Sequence, residues 1–229
     1  MAVDIRFLGQ SCFEIKAGGA TVLIDPFLTG NPKAAATAAE MEPDVILLTH
    51  GHADHLGDTV DIARRTGATV VAIVELAAEI EGEGVESVLN PNYGGTVKFD
   101  WGWVKLVPAW HTAVSPKGTA HAPAGLLIHY GDRLIYHLGD TALFSDLELI
   151  ARRGDKVDLA LVPIGGHFTM DRFDAVTAVE MIQPQQVIPI HYGTFPPIET
   201  DAEAFKSDVQ NAGFSEVLIL QPGDTHRLR

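Results

Sequence analysis

Four side chains able to ligate a metal fall within six residues in the segment Thr49-His50-Gly51-His52-Ala53-Asp54-His55. His50 and His52 are two apart, so an extended backbone projects both to one side. Asp54 and His55 follow where the chain turns toward a helix, which aims them at a second position. Ligands this close in sequence lose little loop-closure entropy on converging. Imidazole and carboxylate donors suit zinc, iron, manganese or nickel and argue against a thiolate-specific site. The structural alternative is a solvated surface loop, because the same residues buried without partners would be costly. Three further candidates weigh against that alternative. His111 ends the strand-like Val104–Trp110, Asp140 follows Arg133–Leu138 in Gly139-Asp140-Thr141, and His191 follows Gln186–Ile190 in Pro189-Ile190-His191-Tyr192-Gly193. Functional side chains gather where strands pass into loops. Seven candidate ligands exceed the needs of one tetrahedral site, so a dinuclear centre is expected.

The other titratable residues divide by context. His167 follows the strand-like Leu159–Ile164 and the pair Gly165-Gly166, whose lack of side chains would let the backbone approach a substrate. There it reads as a substrate-contacting or proton-donating imidazole, set against a local structural role. His137 reads as a buried hydrogen-bonding residue supporting the site, His129 as structural, His121 as a loop residue near the mouth, and His226 as surface or sheet edge. Trp101 and Trp103 alternate, which predicts packing on one face of a strand. Cys12, the single cysteine, sits among apolar residues and reads as a buried thiol. No serine lies in a nucleophile-elbow pattern, and there is no phosphate loop or dinucleotide fingerprint.

The elements that must position these residues alternate strand and helix. Strands are expected at Ile5–Leu8, Ser11–Ile15, Thr21–Ile24, Asp44–Thr49, Ala68–Val74, Val104–Pro108, Gly125–Tyr130, Arg133–Leu138, Leu159–Ile164, Gln186–Ile190 and Glu216–Leu220. Gly131-Asp132 marks a hairpin. Helices are expected from an Asp58 N-cap through Arg65 with Gly67 ending it, and at Glu75–Glu81, Leu143–Arg152, Phe173–Ile182 and Ala202–Ala212. Ala34–Glu42 reads as a short helix or a mobile loop. The strand-rich start and repeated hairpins disfavour strict βαβ winding and favour two facing sheets with helices outside.

The 229 residues, 46% hydrophobic and 20% charged, suit one globular domain spanning residues 1–229. A net charge of −14 disfavours extended nucleic-acid binding but leaves room for a small anion at a locally positive metal. No apolar run reaches ~18 residues, so no membrane-spanning segment is expected. The N-terminus lacks the pattern of an export signal, which makes the cytoplasm the default location.

The motifs together resemble the metallo-β-lactamase superfamily over most of the chain. Its H-x-H-x-D-H pattern stands at His50, His52, Asp54 and His55, and its later His, Asp and His stand at His111, Asp140 and His191. Its early aspartate matches Asp25 in Leu23-Ile24-Asp25-Pro26-Phe27, where it orients the metal loop. Gly139-Asp140-Thr141 and the segment from Pro163 to Met170 look more narrowly like a branch of small metal-dependent hydrolases near L-ascorbate-6-phosphate lactonase and N-acyl-phosphatidylethanolamine phospholipase D. The resemblance implies an αββα sandwich of two mixed sheets with helices on the outer faces. It implies His50, His52 and His111 on one ion, Asp54, His55 and His191 on the other, and Asp140 bridging. That branch often carries Gly-His-Ser in its first turn where this chain has Gly9-Gln10-Ser11, and Gln10 cannot titrate.

The expected activity is hydrolysis of a small ester, lactone or phosphodiester by a metal-bound hydroxide, with Asp54 and His167 as catalytic residues. The expected cofactors are two divalent ions, zinc or manganese, with iron or nickel as alternatives. The expected partner is a small-molecule substrate; assembly as a homo-oligomer is left open. The competing readings are an iron-dependent oxidoreductase on the same ligands, a nuclease, which the −14 charge disfavours, and a non-catalytic metal-binding protein.

Overall fold

A computed structural model describes residues 2–151, 156–213 and 215–229. The chain opens with three antiparallel strands, β1 (Val3–Gly9), β2 (Cys12–Ala17) and β3 (Ala20–Ile24). Three short parallel strands extend this sheet: β4 (Val45–Leu47), β5 (Thr69–Val71) and β6 (Val88–Leu89). They are connected through helices α1 (Ala53–Leu56), α2 (Thr59–Thr66) and α3 (Val74–Gly82). The second sheet begins with the antiparallel strands β7 (Thr96–Phe99), β8 (Gly102–Pro108), β9 (Ala124–Tyr130) and β10 (Arg133–His137). It continues in parallel through β11 (Leu159–Pro163), β12 (Gln186–Ile190) and β13 (Glu216–Val217). Helices α4 (Leu147–Ala151), α5 (Arg172–Ile182) and α6 (Ala202–Ala212) accompany it. The last strand, β14 (Thr225–Leu228), returns to the first sheet beside β1. The orders are β14-β1-β2-β3-β4-β5-β6 and β13-β12-β11-β10-β9-β8-β7.

Strand alternation splits the interior into two apolar layers. On β11, Leu159 and Leu161 face the first sheet and join the layer that holds Ile5, Ile15 and Ile46. Ala160 and Val162 face the other way and pack with Ala175, Val179 and Phe205 of α5 and α6. Both faces of the parallel strands are thus covered, which explains their continuous apolar runs. The result is the expected αββα sandwich. Among the described residues, no helix is long and apolar enough to cross a membrane.

Several local expectations are corrected. Asp58 precedes α2, but its side chain does not cap the helix. It accepts instead from the amides of Leu28 and Thr29, pinning the loop after β3. Trp101 and Trp103 do not share a face. Trp101 lies in the turn before β8, stacked between Phe99 and Tyr130 at 4.8 Å from each, while Trp103 stacks on His129. The turn at Asp100–Trp101, followed by Gly102 at φ 153°, breaks the alternation that the pair would otherwise follow. Ala34–Glu42 contains only the 3-10 turn Ala38–Glu40. The helix expected from Leu143 starts at Leu147, and its expected end at Arg152 lies outside the described residues. Strands β6, β7 and β14 were not anticipated: β6 is two residues long, and β14 is a polar edge strand in which only Leu228 is fully buried.

Candidate metal centre

Loops at the ends of five strands converge on one edge of the sandwich. Asp25 follows β3, His50 follows β4, His111 follows β8, Asp140 follows β10 and His191 follows β12. His52 stands at the entry into α1, and Asp54 and His55 lie in its single turn. Gln10, Asp25 and His191 all take positive φ, of 56°, 43° and 55°. Such backbone is disfavoured for these residue types and persists where surrounding contacts fix it.

All seven expected ligands meet. The donor atoms of His50, His52, His111 and Asp140 form one group, and those of Asp54, His55 and His191 another, each within 4.8 Å of one another. The carboxylate of Asp140 lies between them. Its Oδ1 is 3.3 Å from His55 Nε2, and its Oδ2 is 3.2 Å from His191 Nε2, 3.6 Å from His111 Nε2 and 3.9 Å from His50 Nε2. Asp54 Oδ2 is 3.5 Å from His191 Nε2 and 3.7 Å from His55 Nε2. Most of these separations are long for charge-assisted hydrogen bonds. They are close to the edges of a coordination tetrahedron, since donors ~2.0–2.1 Å from zinc sit roughly 3.3–3.4 Å apart. Among the described residues, His55 Nε2 and Asp140 Oδ1 are buried and have no hydrogen-bond partner, although they face each other at 3.3 Å. Orphaned atoms of this kind are rare unless something else satisfies them. The donor set therefore fits divalent metal ions.

The ring orientations are set from behind. Asp25 is fully buried and accepts three bonds: from Thr49 N at 2.9 Å, Thr49 Oγ1 at 2.6 Å and His55 Nδ1 at 2.7 Å. With Nδ1 donating to Asp25, Nε2 is the nitrogen turned toward Asp140 and the one that would ligate once the ring is neutral. Because Thr49 Oγ1 donates to Asp25, it is free to accept from His50 Nδ1 at 3.0 Å, which bares His50 Nε2 in the same way. On the other side, Trp110 N donates to Thr141 Oγ1 and Ala142 N to Trp110 O, which ties the His111 loop to the Asp140 loop.

The electrostatics separate two kinds of histidine. Burial holds His50, His52 and His111 below their ordinary range, so they stand neutral and ready to ligate. Burial acts the same way on His55 and His191 but is outweighed there. The carboxylates of Asp140 and Asp25 hold His55 well above its usual value, and Asp140 and Asp54 push His191 up to about 9. Against the opposing effect of burial, His191 and His55 keep Asp54 and Asp140 well below the usual carboxylate range.

Residues 4–191 match the family model of the beta-lactamase superfamily domain. A UPF0173 metal-dependent hydrolase of Methanopyrus kandleri is 47% identical over 227 residues, spanning 97% of this chain and 98% of the relative. The chain belongs to the beta-lactamase superfamily, among its metal-dependent hydrolases. The solved structure of Igni18, a metallo hydrolase from the archaeon Ignicoccus hospitalis, is 34% identical with a TM-score of 0.91, covering 100% of this chain and 99% of that one. At 19% identity, the diiron β-hydroxylase CmlA of Streptomyces venezuelae shares the fold, with a TM-score of 0.77 over 99% of this chain and 54% of its own.

Within this superfamily member, Gln10 is buried and donates from Nε2 to Asp54 Oδ2 at 3.0 Å, while its carbonyl accepts from His191 N. It thus touches one candidate ligand by side chain and another by backbone. His137, fully buried, donates from Nε2 to Ser11 O and accepts from Gly139 N, so it braces the turn that presents Asp140. His167 is not brought into the cluster. It is exposed at φ 55°, and its ring packs edge-on against Phe168, whose side chain lines the cavity above the cluster. The neighbouring glycine serves a different purpose from the one expected. A Cβ at Gly165 would lie 2.1 Å from His191 O, so its bareness admits the His191 loop.

The contribution of His121 was barely visible in sequence. Its Nε2 accepts from Gly51 N at 2.8 Å and its Nδ1 donates to Thr119 O at 3.0 Å. It therefore grips the metal loop between His50 and His52, and a Cβ at Gly51 would meet its ring at 2.8 Å.

Proposed function

We propose that the chain is a dinuclear hydrolase of a small ester, lactone or phosphodiester. His50, His52 and His111 would hold one divalent ion and Asp54, His55 and His191 the other, with Asp140 shared. The supporting observation is the Asp140 carboxylate, which faces His55 through one oxygen and His50, His111 and His191 through the other. Zinc and manganese suit these donors, as do iron and nickel.

Bound divalent ions supply a Lewis-acid pull on the scissile carbonyl or phosphoryl oxygen and lower the pKa of water toward neutrality. The protein's own groups do the rest. Asp54, held ionised by His191 and steadied by Gln10, is a weak base and a good acceptor, suited to orienting the attacking water by its hydrogen. Asp25 and Thr49 keep the imidazoles in ligating tautomers. His167, exposed and packed edge-on against Phe168, would deliver a proton to the leaving group.

The test is metal analysis of the reconstituted protein together with a screen across lactones, esters and phosphodiesters. Two ions per chain, turnover lost on chelation, and joint loss of metal and activity in Asp140→Ala are the expected results. Saturation at one ion with full turnover would refute the dinuclear reading. A second reading, an iron-dependent oxidoreductase, is favoured by the fold shared with a diiron β-hydroxylase. It requires redox-active iron and oxygen consumption in place of hydrolysis. Stable metal binding without either activity would make the chain a non-catalytic metal protein.

A further inference from the structure

The cavity above the cluster measures about 540 Å³, the size for a small molecule. Its floor is the polar metal centre, but its walls are aromatic. Phe27 stands two residues after Asp25, Phe195 four residues after His191, and Phe168 in the loop after β11. The same strand-end loops that place the ligands and Asp25 therefore also place two of the rings. Phe27 and Phe195 lie 6.3 Å apart at 36°, and Phe168 is 53% exposed. Among the described residues lining the cavity there is no lysine or arginine, and Thr112 is the one neutral hydroxyl. An anionic group seated away from the metal centre would find no counter-charge in the walls and would meet a chain of net charge −14. An apolar group would remove half-exposed aromatic surface from water.

We infer that this centre acts on an uncharged carboxylic ester, open or cyclic, whose acyl group carries an aromatic or branched apolar substituent seated among Phe27, Phe168 and Phe195. This deepens the hydrolase reading and rests on it. In the reaction the acyl C–O bond breaks and water oxygen bonds to the acyl carbon. One water proton goes to the leaving alkoxide and the other to solvent, giving a carboxylate and an alcohol. The walls disfavour an acyl substituent that carries a free carboxylate or phosphate.

Binding is tested apart from turnover with two ketones that cannot be hydrolysed. The metal-loaded protein is titrated by NMR with 4-phenyl-2-butanone and with 4-oxopentanoate. The aromatic ketone is expected to bind ~10–100-fold more tightly, the gain from burying a phenyl ring. Phe168→Ala, a change at a half-exposed position, should erase much of that preference while metal content and thermal stability stay unchanged. The kcat/KM values for a phenylacetate ester and a hydrogen succinate ester of one alcohol should differ in the same sense. Equal or tighter binding of 4-oxopentanoate, or faster turnover of the succinate ester, overturns the inference and leaves the hydrolase reading standing. Phenyl selectivity in binding with no ester or lactone turned over by the fully loaded protein refutes the ester assignment, and failure on phosphodiesters as well refutes the hydrolase reading.

Discussion

Replacing Asp25 by Asn changes one atom in a site with no slack. Oδ1 accepts from Thr49 N, and Oδ2 accepts from both Thr49 Oγ1 and His55 Nδ1. An amide can meet this in two ways. With nitrogen in the Oδ2 position, His55 must accept at Nδ1, which moves its proton to Nε2, the atom facing Asp140. That tautomer cannot ligate, and ~10–100-fold in metal affinity is the usual cost of losing such an orienting partner. With nitrogen in the Oδ1 position, it opposes the amide of Thr49, leaving a buried donor unpaired at a cost of about 1–3 kcal/mol in stability. Either way one observable moves. Zinc affinity by competition with a chromophoric chelator, and the melting temperature of the metal-free protein, report the two outcomes separately. If Asp25→Asn matches the wild type in both, the orienting role of Asp25 is wrong.

Three further outcomes follow from neighbouring contacts. His121→Ala leaves Gly51 N without its acceptor and should weaken metal binding by ~10-fold, with partial recovery in His121→Gln; an unchanged affinity in His121→Ala would refute the grip on the loop. His167→Ala should keep its metal and its melting temperature yet lose ~10²–10⁴ in turnover on a substrate with a poor leaving group, and much less on one with a good leaving group. Equal slowing of both substrates would end the proton-donor assignment. Burial holds His137 below its ordinary value near 6.5, so the unfolded chain takes up that proton first. The stability that depends on a neutral His137 is full above about 6.5 and is lost as pH falls below it. His137→Gln, which keeps a donor and an acceptor but does not titrate, should therefore lose less stability than the wild type between pH 7 and 5; parallel melting curves across that range would contradict this.

The part of this protein that was legible in sequence is the part that chemistry confines to particular residue types. Metal ligation admits few donors, and four of the seven candidates stand in a single short segment. The remaining three each follow a strand whose apolar run was readable, so their convergence needed only the strands to be ordered correctly. The parallel strands β4, β11 and β12 were visible because both of their faces are buried, and Gln186–Ile190 and Ala202–Ala212 fall where the pattern put them. What stayed hidden depends on which surface meets which. Asp58 has the residue type and position of a helix cap, but two amides of the loop after β3 reach it first. The pair Trp101 and Trp103 has the spacing of one strand face, but Trp101 lies in the turn before the strand begins.

Gly51 carries that distinction into the centre itself. In the pattern H-x-H-x-D-H it occupies a position with no assigned chemistry, a spacer between two ligands. In the fold its amide is held by His121, seventy residues further on, and its lack of a side chain is what lets that imidazole close against the loop. Gly165 acts in the same way beneath His191, where another backbone must pass within van der Waals contact. The candidate ligands therefore account for which metal chemistry would be available. The bare positions beside them, and the buried Asp25, Thr49 and His137 behind them, account for why those side chains stand a coordination edge apart. A motif names the first set because it fixes residue type; only the packed structure names the second, because it fixes contact.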